Sequence, residues 1–395
     1  MTLKTLAAIV LSAAVALPSA AADIYQTAWL MAAENPAVKS ARASLDSELA
    51  GREAQNMLSG LEIEGGVNIP ADVDDYRWEV SVGQSFDWPG VYSARRKANA
   101  LYAKAYSYLY ETSLADAAFE ATQALIRLAA ANQHLELVKY AHDNAERMLE
   151  AGEYAFSRGE ITVLEFKRMQ LDHFNLHAKM TQAKADQKAA EIAVATLNGG
   201  ALPADIPALP ENVFVEPYAD YESAFMAYNP SMSAKRLQVQ ALEADAKVAA
   251  RAALPSFSVA YKHLYEDETH FNGFSIGITL PQWGKNKKKA AALAAVEAAR
   301  FEEEAFTLQQ NADLRTAYEK ALVLNHQVDQ SREVFADGTY PEVLRKALEM
   351  KKINVLEYIN EYNNYLAAAS DYIDLKEELM LSMAFLRRYT APSRQ

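Results

Sequence analysis

The chain of 395 residues carries a formal net charge of −13 and contains no cysteine. Binding to nucleic-acid phosphates needs a surplus of Lys and Arg, so this acidic balance argues against a nucleic-acid partner. Without cysteine we expect neither disulfide bonds nor a cysteine-linked lipid anchor, and packing alone must hold the fold.

Residues 1–22 have the layout of a cleavable signal peptide. Lys4 precedes an apolar run from Thr5 to Leu17, and a run of small residues ends at Ala22. This pattern predicts cleavage after Ala22 and export from the cytoplasm. No later stretch approaches the roughly 20 apolar residues of a membrane-spanning helix, so we expect none.

The remaining sequence repeats itself. Two patterns recur in the same order in each half: the Asn-Pro pair at 35–36 and 229–230, and the apolar and acidic run at 161–166 and 353–358. Such self-similarity predicts two structural repeats, 23–198 and 219–395. The segment 199–218 between them is rich in Pro and Gly, which is typical of a linker.

Each repeat is predicted to contain a helical region, two strands and two long helices, in that order. The first helical regions are expected at about 24–57 and 221–253, each interrupted by its proline. Because Gly and Pro are scarce, the long helices are predicted at about 93–151, 161–197, 285–335 and 341–388.

Four segments alternate between apolar and polar residues and are predicted to be strands, at about 61–69, 77–86, 256–264 and 272–280. Their lengths match the roughly 9 to 11 residues that a tilted strand needs to cross a bilayer. A soluble sheet with one buried face has the same alternation. Trp78, Trp88 and Trp283 stand at strand ends, where membrane interfaces place aromatic rings, and favour the membrane interpretation.

Four strands are too few to close a barrel. An open strand edge is not tolerated in lipid, because its backbone groups would lack hydrogen-bond partners. If the strands cross a membrane, several copies must therefore share one barrel. The sequence predicts an obligate oligomer.

Clusters of cations begin the two long helices that follow the strands, at 95–97 and 285–289. Positive charge at a helix N-terminus opposes the helix dipole. Lipid phosphates at a membrane surface are one expected partner for these cations. A solvated helix face is the other interpretation.

Patterns typical of enzymes and metal sites are weak in this sequence. Residues 273–277 match G-x-S-x-G, but the strand alternation runs straight on through them, which disfavours a nucleophile elbow. His173 and His177 stand four apart and could share a helix face, as metal ligands do, but no third ligand is apparent. They are interpreted as surface or interhelix histidines. We therefore expect no catalytic, cofactor or metal site, and no enzyme.

The order of these motifs resembles the TolC-type outer-membrane efflux family over essentially the whole chain beyond residue 22. The shared features are the tandem halves, the Asn-Pro opening of each half, and the turns that leave the strands at 88–90 and 281–284. A G-x-I-[ST]-x-L-[DE] signature is also present, as Gly159, Ile161, Thr162, Leu164 and Glu165. The run 87–96 resembles the heavy-metal-efflux branch of the family.

The resemblance implies a mainly α fold with a small membrane β-barrel. Three chains would contribute four strands each to a twelve-stranded barrel, which continues as a long α-helical tube in the periplasm. The implied function is passive conduction, in the outer membrane, of substrates delivered by a periplasmic adaptor and an inner-membrane pump. A periplasmic adaptor or a helical coiled-coil scaffold is the alternative, although an adaptor would carry one central hairpin rather than two.

The resemblance also implies a set of functional residues at the tips of the helical hairpins. Acids just beyond the signature narrow the tube entrance in the family, and this position corresponds to Glu357, with Glu165 at the matching site of the first half. Asn360 stands where the family has a further acid. The expected hairpin-tip and adaptor contacts are Arg158, Gly159, Thr162, Lys351 and Lys352, where Lys351 replaces the family's glycine.

Overall fold

The computed structural model describes residues 23–69, 77–280, 285–335 and 339–389. The expected signal peptide at 1–22, and Trp283 with its turn at 281–284, lie outside these residues. The helices are α1 Ile24–Glu34, α2 Pro36–Ala54, α3 Pro89–Ser157, α4 Val163–Leu197, α5 Tyr218–Tyr228, α6 Pro230–Arg251, α7 Lys285–Phe335, α8 Tyr340–Glu349 and α9 Val355–Leu386. The strands are β1 Glu62–Asn68, β2 Arg77–Phe86, β3 Ser256–Glu266 and β4 Thr269–Thr279.

Each Asn-Pro pair separates two helices. Asn35 ends α1 in an extended conformation, and Pro36 begins α2. Asn229 caps α6, because its side chain accepts hydrogen bonds from Ser231 N at 2.9 Å and Met232 N at 3.4 Å. Asparagine is a favoured N-cap, and proline fits the first helical position because no partner is needed for its missing N–H.

The α3 helix is longer than the sequence predicts. It begins at Pro89 and runs to Ser157, beyond the expected bounds of about 93–151 at both ends, so residues 152–157 belong to the helix. A Cβ atom on Gly152 would collide with Met169 Sδ of α4. Gly152 is therefore a packing residue inside the helix, which lets α4 approach closely.

The helix expected at about 341–388 is also wrong, because it divides into α8 and α9. Lys351 adopts φ +55°, in the left-handed region. Lys351 N and Lys352 N donate to the carbonyls of Leu348 and Ala347, both at 2.9 Å, and close the end of α8. Such a left-handed residue with bonds back into the last turn ends a helix.

The four strands form one antiparallel sheet in the order β1-β2-β3-β4. Strands β1 and β2 form one hairpin and β3 and β4 form the other. The central β2–β3 pairing joins the two sequence repeats, with Val82 opposite Tyr261.

The chain folds into two compact units that do not coincide with the sequence repeats. Unit 1 comprises residues up to Pro36, Ala115–Tyr221 and those from Arg315 onward, and unit 2 comprises Ala37–Leu114 and Glu222–Leu314. Each unit therefore draws on both repeats. Among the described helices, none has a stretch long and apolar enough to cross a membrane.

Unit 1 has two apolar clusters. One packs α1 and the middle of α3 against α4 and α9, with Met31, Leu125, Val194 and Met380 among its buried residues. The other lies between the α3–α4 hairpin and the α8–α9 hairpin, and contains Ala141, Ala145, Met169, Leu176, Leu344, Tyr358, Ile359, Tyr362 and Leu366. This second cluster, which we call the hairpin core, sets the positions of the hairpin tips.

Unit 2 joins α2, α3 and α6 through a polar network as well as through apolar contacts. The Arg52 guanidinium lies over the Tyr102 ring, 3.1 Å from its centroid. The Tyr102 hydroxyl donates to Asp245 Oδ2 at 2.8 Å, and Arg52 lies 3.7 Å from the same oxygen. Burial, together with the bond to Asp245, raises the pKa of Tyr102 to about 12, so the phenol stays protonated at ordinary pH.

Candidate functional site

The sheet of unit 2 has one apolar face that is unusually exposed. Opposed residues in an antiparallel ladder point to the same face, and alternate residues along each strand share it. Phe274 is 82 % exposed, Ile276 78 % and Ile63 72 %. The apolar side chains of this apolar sheet face are Ile63, Val67, Val80, Val82, Phe86, Phe257, Val259, Tyr261, Phe274, Ile276 and Ile278. The register also places Trp78 and Tyr265 on it, with the polar exceptions Gln84, His263, His270 and Asn272.

The opposite face of the sheet is polar or small. The register gives this polar sheet face the residues Glu62, Glu64, Arg77, Glu79, Ser81, Ser85, Ser258, Lys262, Glu266, Ser275 and Thr279. Leu264 and Phe271, opposite one another near the β3–β4 turn, are its apolar exceptions. Ser275 lies within β4, so the G-x-S-x-G match at 273–277 is part of a strand, as the alternation predicts.

Aromatic side chains lie at both ends of the β2–β3 pair. Trp78 stacks on Tyr265 with ring centroids 5.9 Å apart and lies 5.3 Å from His263. Trp88 lies 5.6 Å from Phe257 at the other end. At about 3.4 Å per residue, the strand between Trp78 and Phe86 spans about 27 Å.

The first hairpin tip is built by a glycine and a capping box. Gly159 adopts φ +71° after the end of α3. Thr162 caps α4: its hydroxyl oxygen accepts from Glu165 N at 3.2 Å, and its own backbone N donates to Glu165 Oε2 at 2.7 Å. Arg158 forms an ion pair with Glu160 at 2.9 Å and donates to the Tyr154 hydroxyl at 2.8 Å.

The second hairpin tip repeats this geometry with different residues. Lys351 takes the left-handed position that Gly159 has in the first tip. Asn354 caps α9: its side-chain oxygen accepts from Glu357 N at 2.8 Å, and its backbone N donates to Glu357 Oε2 at 3.0 Å. Lys352 is exposed beside it.

Glu165 and Glu357, the two acids expected at the tube entrance, therefore each accept a hydrogen bond from the capping residue of their own helix. The backbone N–H of Thr162, and then its hydroxyl, hold the pKa of the Glu165 carboxyl below its ordinary value. Asn360, expected in the same ring, accepts from Arg168 Nη2 at 3.2 Å and so connects α9 to α4. Glu165 and Glu357 each contact the capping residue of their own helix, and both the gating role and the adaptor contact stay predictions.

The cation cluster at the start of α3 has an internal partner. Arg95 forms an ion pair with Asp87 at 2.9 Å. Because α3 begins at Pro89, Arg95 lies in its second turn, where the helix dipole has little effect, so the expected conflict with the dipole does not arise there. Lys287, Lys288 and Lys289 at the start of α7 are exposed.

One group of residues was missed by the sequence analysis. His142 of α3 lies against His173 and His177 of α4, with ring centroids 5.1 and 5.4 Å away. The third histidine that the sequence did not reveal is therefore supplied by the preceding helix. The sequence does contain one indication of this contact. His142 lies about as far before the hairpin turn as His177 lies after it, so the two residues are expected at the same level of the hairpin.

Solved structures with the same fold are bacterial outer-membrane proteins. The CmeC outer membrane channel of Campylobacter jejuni matches with a TM-score of 0.77 at 15 % identity, over 93 % of this chain and 85 % of that one. The outer membrane protein VceC of Vibrio cholerae matches with a TM-score of 0.74 at 12 % identity, over 92 % of this chain and 95 % of that one. The open state of the MtrE outer membrane channel of Neisseria gonorrhoeae matches with a TM-score of 0.64 at 18 % identity, over 93 % of this chain and 88 % of that one.

No protein-family model matches the sequence, and no curated protein matches it. Sequence identities this low show a common fold and no more. The mostly helical chain with its small antiparallel sheet has the fold of bacterial outer-membrane channels.

Proposed function

We propose that this chain is the outer-membrane channel of an efflux system of the TolC type. Three copies form one twelve-stranded barrel in the outer membrane, continued by a helical tube in the periplasm. The channel conducts passively and performs no reaction. A periplasmic adaptor and an inner-membrane pump deliver its substrates.

The exposed apolar sheet face is the observation that carries this proposal. Large apolar side chains facing water are unfavourable by about 25 cal/mol for each Å² of surface, and contiguous exposed patches of this kind mark contact with lipid or protein. Strands β2, β3 and β4 contain 10, 11 and 11 residues, enough to cross a bilayer when tilted, whereas β1, with 7 residues, is shorter than the expected 61–69. Lipid outside and water inside suit the apolar and polar sheet faces respectively.

The sheet edges support a shared barrel. Within the described sheet, β1 and β4 each pair on one side only, which leaves backbone groups that lipid cannot satisfy. Joining β4 of one copy to β1 of the next keeps the antiparallel alternation around a ring. In an eight-stranded barrel built from two copies, side chains would fill the interior. A twelve-stranded barrel built from three copies leaves room for a water-filled lumen.

Charges on the polar sheet face indicate how the lumen treats ions. The four acids Glu62, Glu64, Glu79 and Glu266 outnumber the two bases Arg77 and Lys262 on this face. With a chain net charge of −13, three copies would line a pore with negative potential. We expect the channel to prefer cations.

The hairpin tips supply a surface for an adaptor. Val163 is 61 % exposed and Leu164 69 % exposed, directly after the Thr162 cap. Apolar side chains on a tip that is already held by its own cap suit contact with another protein. We assign the adaptor contact to this tip, with Arg158 and Gly159, and to Lys351 and Lys352 in the second tip.

The heavy-metal branch rests on the sequence resemblance around residues 87–96. Asp87 and Arg95 there pair with each other, so their contact gives no information about the cargo. Membership of that branch would favour metal ions as cargo, with drugs or other compounds as the alternative, because a wide passive tube leaves selection to the pump. Metal tolerance of a strain deleted for this gene, compared with its tolerance of organic drugs, tests that assignment.

Membrane fractionation tests the proposed function. The channel should appear with the outer membrane, require detergent for extraction, and run on gels as a heat-sensitive trimer. A periplasmic adaptor or soluble scaffold would instead be released with the periplasm. Recovery of a monomer in the soluble periplasmic fraction would rule out the channel.

A further inference from the structure

Three histidines converge between the two arms of the α3–α4 hairpin. The ring centroid of His142 lies 5.1 Å from that of His173 and 5.4 Å from that of His177, and the last two are 6.4 Å apart. His142 is buried, with 8 % of its surface exposed, His173 is half-buried and His177 is exposed. The cluster is therefore open to solvent on one side and walled by α3 on the other.

Two of the imidazole nitrogens already have the spacing of metal ligands. His142 Nε2 and His177 Nδ1 are 3.4 Å apart. Two nitrogens each about 2.0–2.1 Å from a tetrahedral zinc ion are separated by about 3.3–3.4 Å. As the His173 ring stands, none of its nitrogens joins this pair, so a third nitrogen ligand requires that ring, 5.1 Å from His142 between centroids, to rotate when the ion binds.

The other nitrogen of His142 faces carboxylates. His142 Nδ1 is buried without a hydrogen-bond partner among the described residues, and lies 3.6 Å from Asp143 Oδ1. One carboxylate oxygen each of Asp143 and Glu146 and a nitrogen of His142 lie within 4.8 Å of one another. A histidine that binds a metal through one nitrogen commonly donates its other N–H to a carboxylate, which fixes the ring orientation.

We propose that His142, His173 and His177 form a resident binding site for a divalent transition-metal ion of the zinc class. Imidazole is a preferred ligand of Zn²⁺, Ni²⁺ and Cu²⁺, whereas Mg²⁺ and Ca²⁺ prefer oxygen. Asp143 orients His142 through its opposite nitrogen, and water completes the coordination. The site clips α3 to α4 and stands independently of the proposed channel function.

Zinc binding to the full chain tests the site. The protein should carry no histidine tag and be stripped with a chelator before titration with Zn²⁺ alone by calorimetry. We expect one strong site per chain. His177→Gln changes an exposed side chain, so it should leave the fold intact and lower the zinc affinity by at least tenfold.

A matched control is available on another helix. His326 is exposed on α7 and contacts Gln330, and His326→Gln should leave the zinc affinity unchanged. Co²⁺ bound in place of zinc should give the visible absorption of a tetrahedral nitrogen-ligated ion, and His173→Gln should weaken it. Circular dichroism of each variant checks that the helices persist.

The competing explanation of the short distance is a hydrogen bond between neutral His142 and His177. In that case the wild type would show no saturable zinc binding, or His326→Gln would reduce binding as much as His177→Gln does. Either result overturns the proposal.

Discussion

At the residue scale, the two acids expected to gate the tube are first of all helix caps. Glu165 and Glu357 each close a capping box with the residue three positions earlier. Replacing either acid therefore loosens a helix start as well as removing a charge. A change in conductance on substitution measures gating only if the cap is kept, as Gln would keep part of it.

Lys351 is the strained residue of the second tip. A left-handed conformation costs a residue with a Cβ atom about 1–2 kcal/mol, and glycine avoids this cost. Glycine also has more conformational entropy in the unfolded state, which offsets part of the gain in stability. Lys351→Gly should therefore stabilise the protein by about 0.5–1 kcal/mol, measured by thermal unfolding in detergent. Lys352→Gly is the control and should not stabilise, because Lys352 is not among the described residues with positive φ. Equal losses in both variants would contradict this account.

The Glu165 cap predicts a pH dependence. Because hydrogen bonds from Thr162 lower the pKa of this carboxyl in the folded state, its contribution is present above the ordinary value of 4.5 and is lost as pH falls through the lowered pKa. Glu165→Gln should therefore unfold at a lower temperature than wild type at pH 7, and this difference should shrink toward pH 3. Glu153→Gln changes an exposed carboxylate of α3 that belongs to no capping box, and as the control it should unfold at the wild-type temperature at pH 7. A difference for Glu165→Gln that is constant with pH would contradict the prediction.

Some of the tip could be predicted from residues alone and some could not. The signature at Gly159 and Thr162 is itself a left-handed turn followed by a cap, so local chemistry places it. The bond between Arg168 and Asn360 depends on how α4 and α9 pack, which no local pattern contains. His142 is an intermediate case. Residues equally far from a hairpin turn lie side by side on its two helices, so the hairpin predicts that His142 lies near His177.

At the element scale, glycine was the least reliable guide to helix ends. Gly159 ends a helix and Gly152 lies inside one, and both are glycines in a polar sequence. The difference is the neighbour: Met169 of α4 occupies the space that a side chain on Gly152 would need. That contact could not be predicted before the packing of α3 on α4 was known.

Gly152→Ala should therefore destabilise the protein despite the helix propensity of alanine. The added methyl group would displace the end of the Met169 side chain, which is buried at 4 % exposure and so has little room to move. Such overpacking costs about 1–3 kcal/mol, against about 1 kcal/mol gained from helix propensity. In a Met169→Ala background the same substitution should become stabilising, which a thermal double-mutant cycle would detect. Gly51→Ala in α2 is the control and should stabilise, because nothing lies within 4 Å of a Cβ there. A destabilisation by Gly152→Ala that Met169→Ala does not relieve would be inconsistent with the contact.

The strands separate the lipid interpretation from the soluble one. Ile276→Lys puts a charge on the apolar sheet face, and a lysine near the bilayer midplane costs about 2–4 kcal/mol. Ser275→Lys places the same charge one residue earlier, on the polar sheet face, and should be tolerated. The yield of heat-sensitive trimer on refolding into lipid vesicles should fall for the first variant and not for the second. Similar yields for both would argue that lipid does not contact this face.

At the scale of the whole molecule, the order of elements was predictable and their grouping was not. Alternation and proline positions indicate the strands and helices locally. The β2–β3 pairing joins residues about 180 positions apart, as in Val82 with Tyr261. Such long-range pairing brings parts of both repeats into one compact unit. The repeat pattern alone would instead predict one unit for each repeat.

The most direct test of the shared barrel is cross-linking between the sheet edges. Because the chain has no cysteine, Glu64→Cys on β1 can be combined in separate variants with Gly273→Cys, Ser275→Cys or Thr279→Cys on β4. These positions share the polar sheet face, and two intervening strands separate β1 from β4 by about 14 Å within one chain, too far for a disulfide. In the outer membrane, oxidation of at least one pair should give covalent dimers and trimers and nothing larger, while Glu64→Cys alone gives neither. Monomers only, or a ladder that continues past three chains, would contradict the trimeric channel.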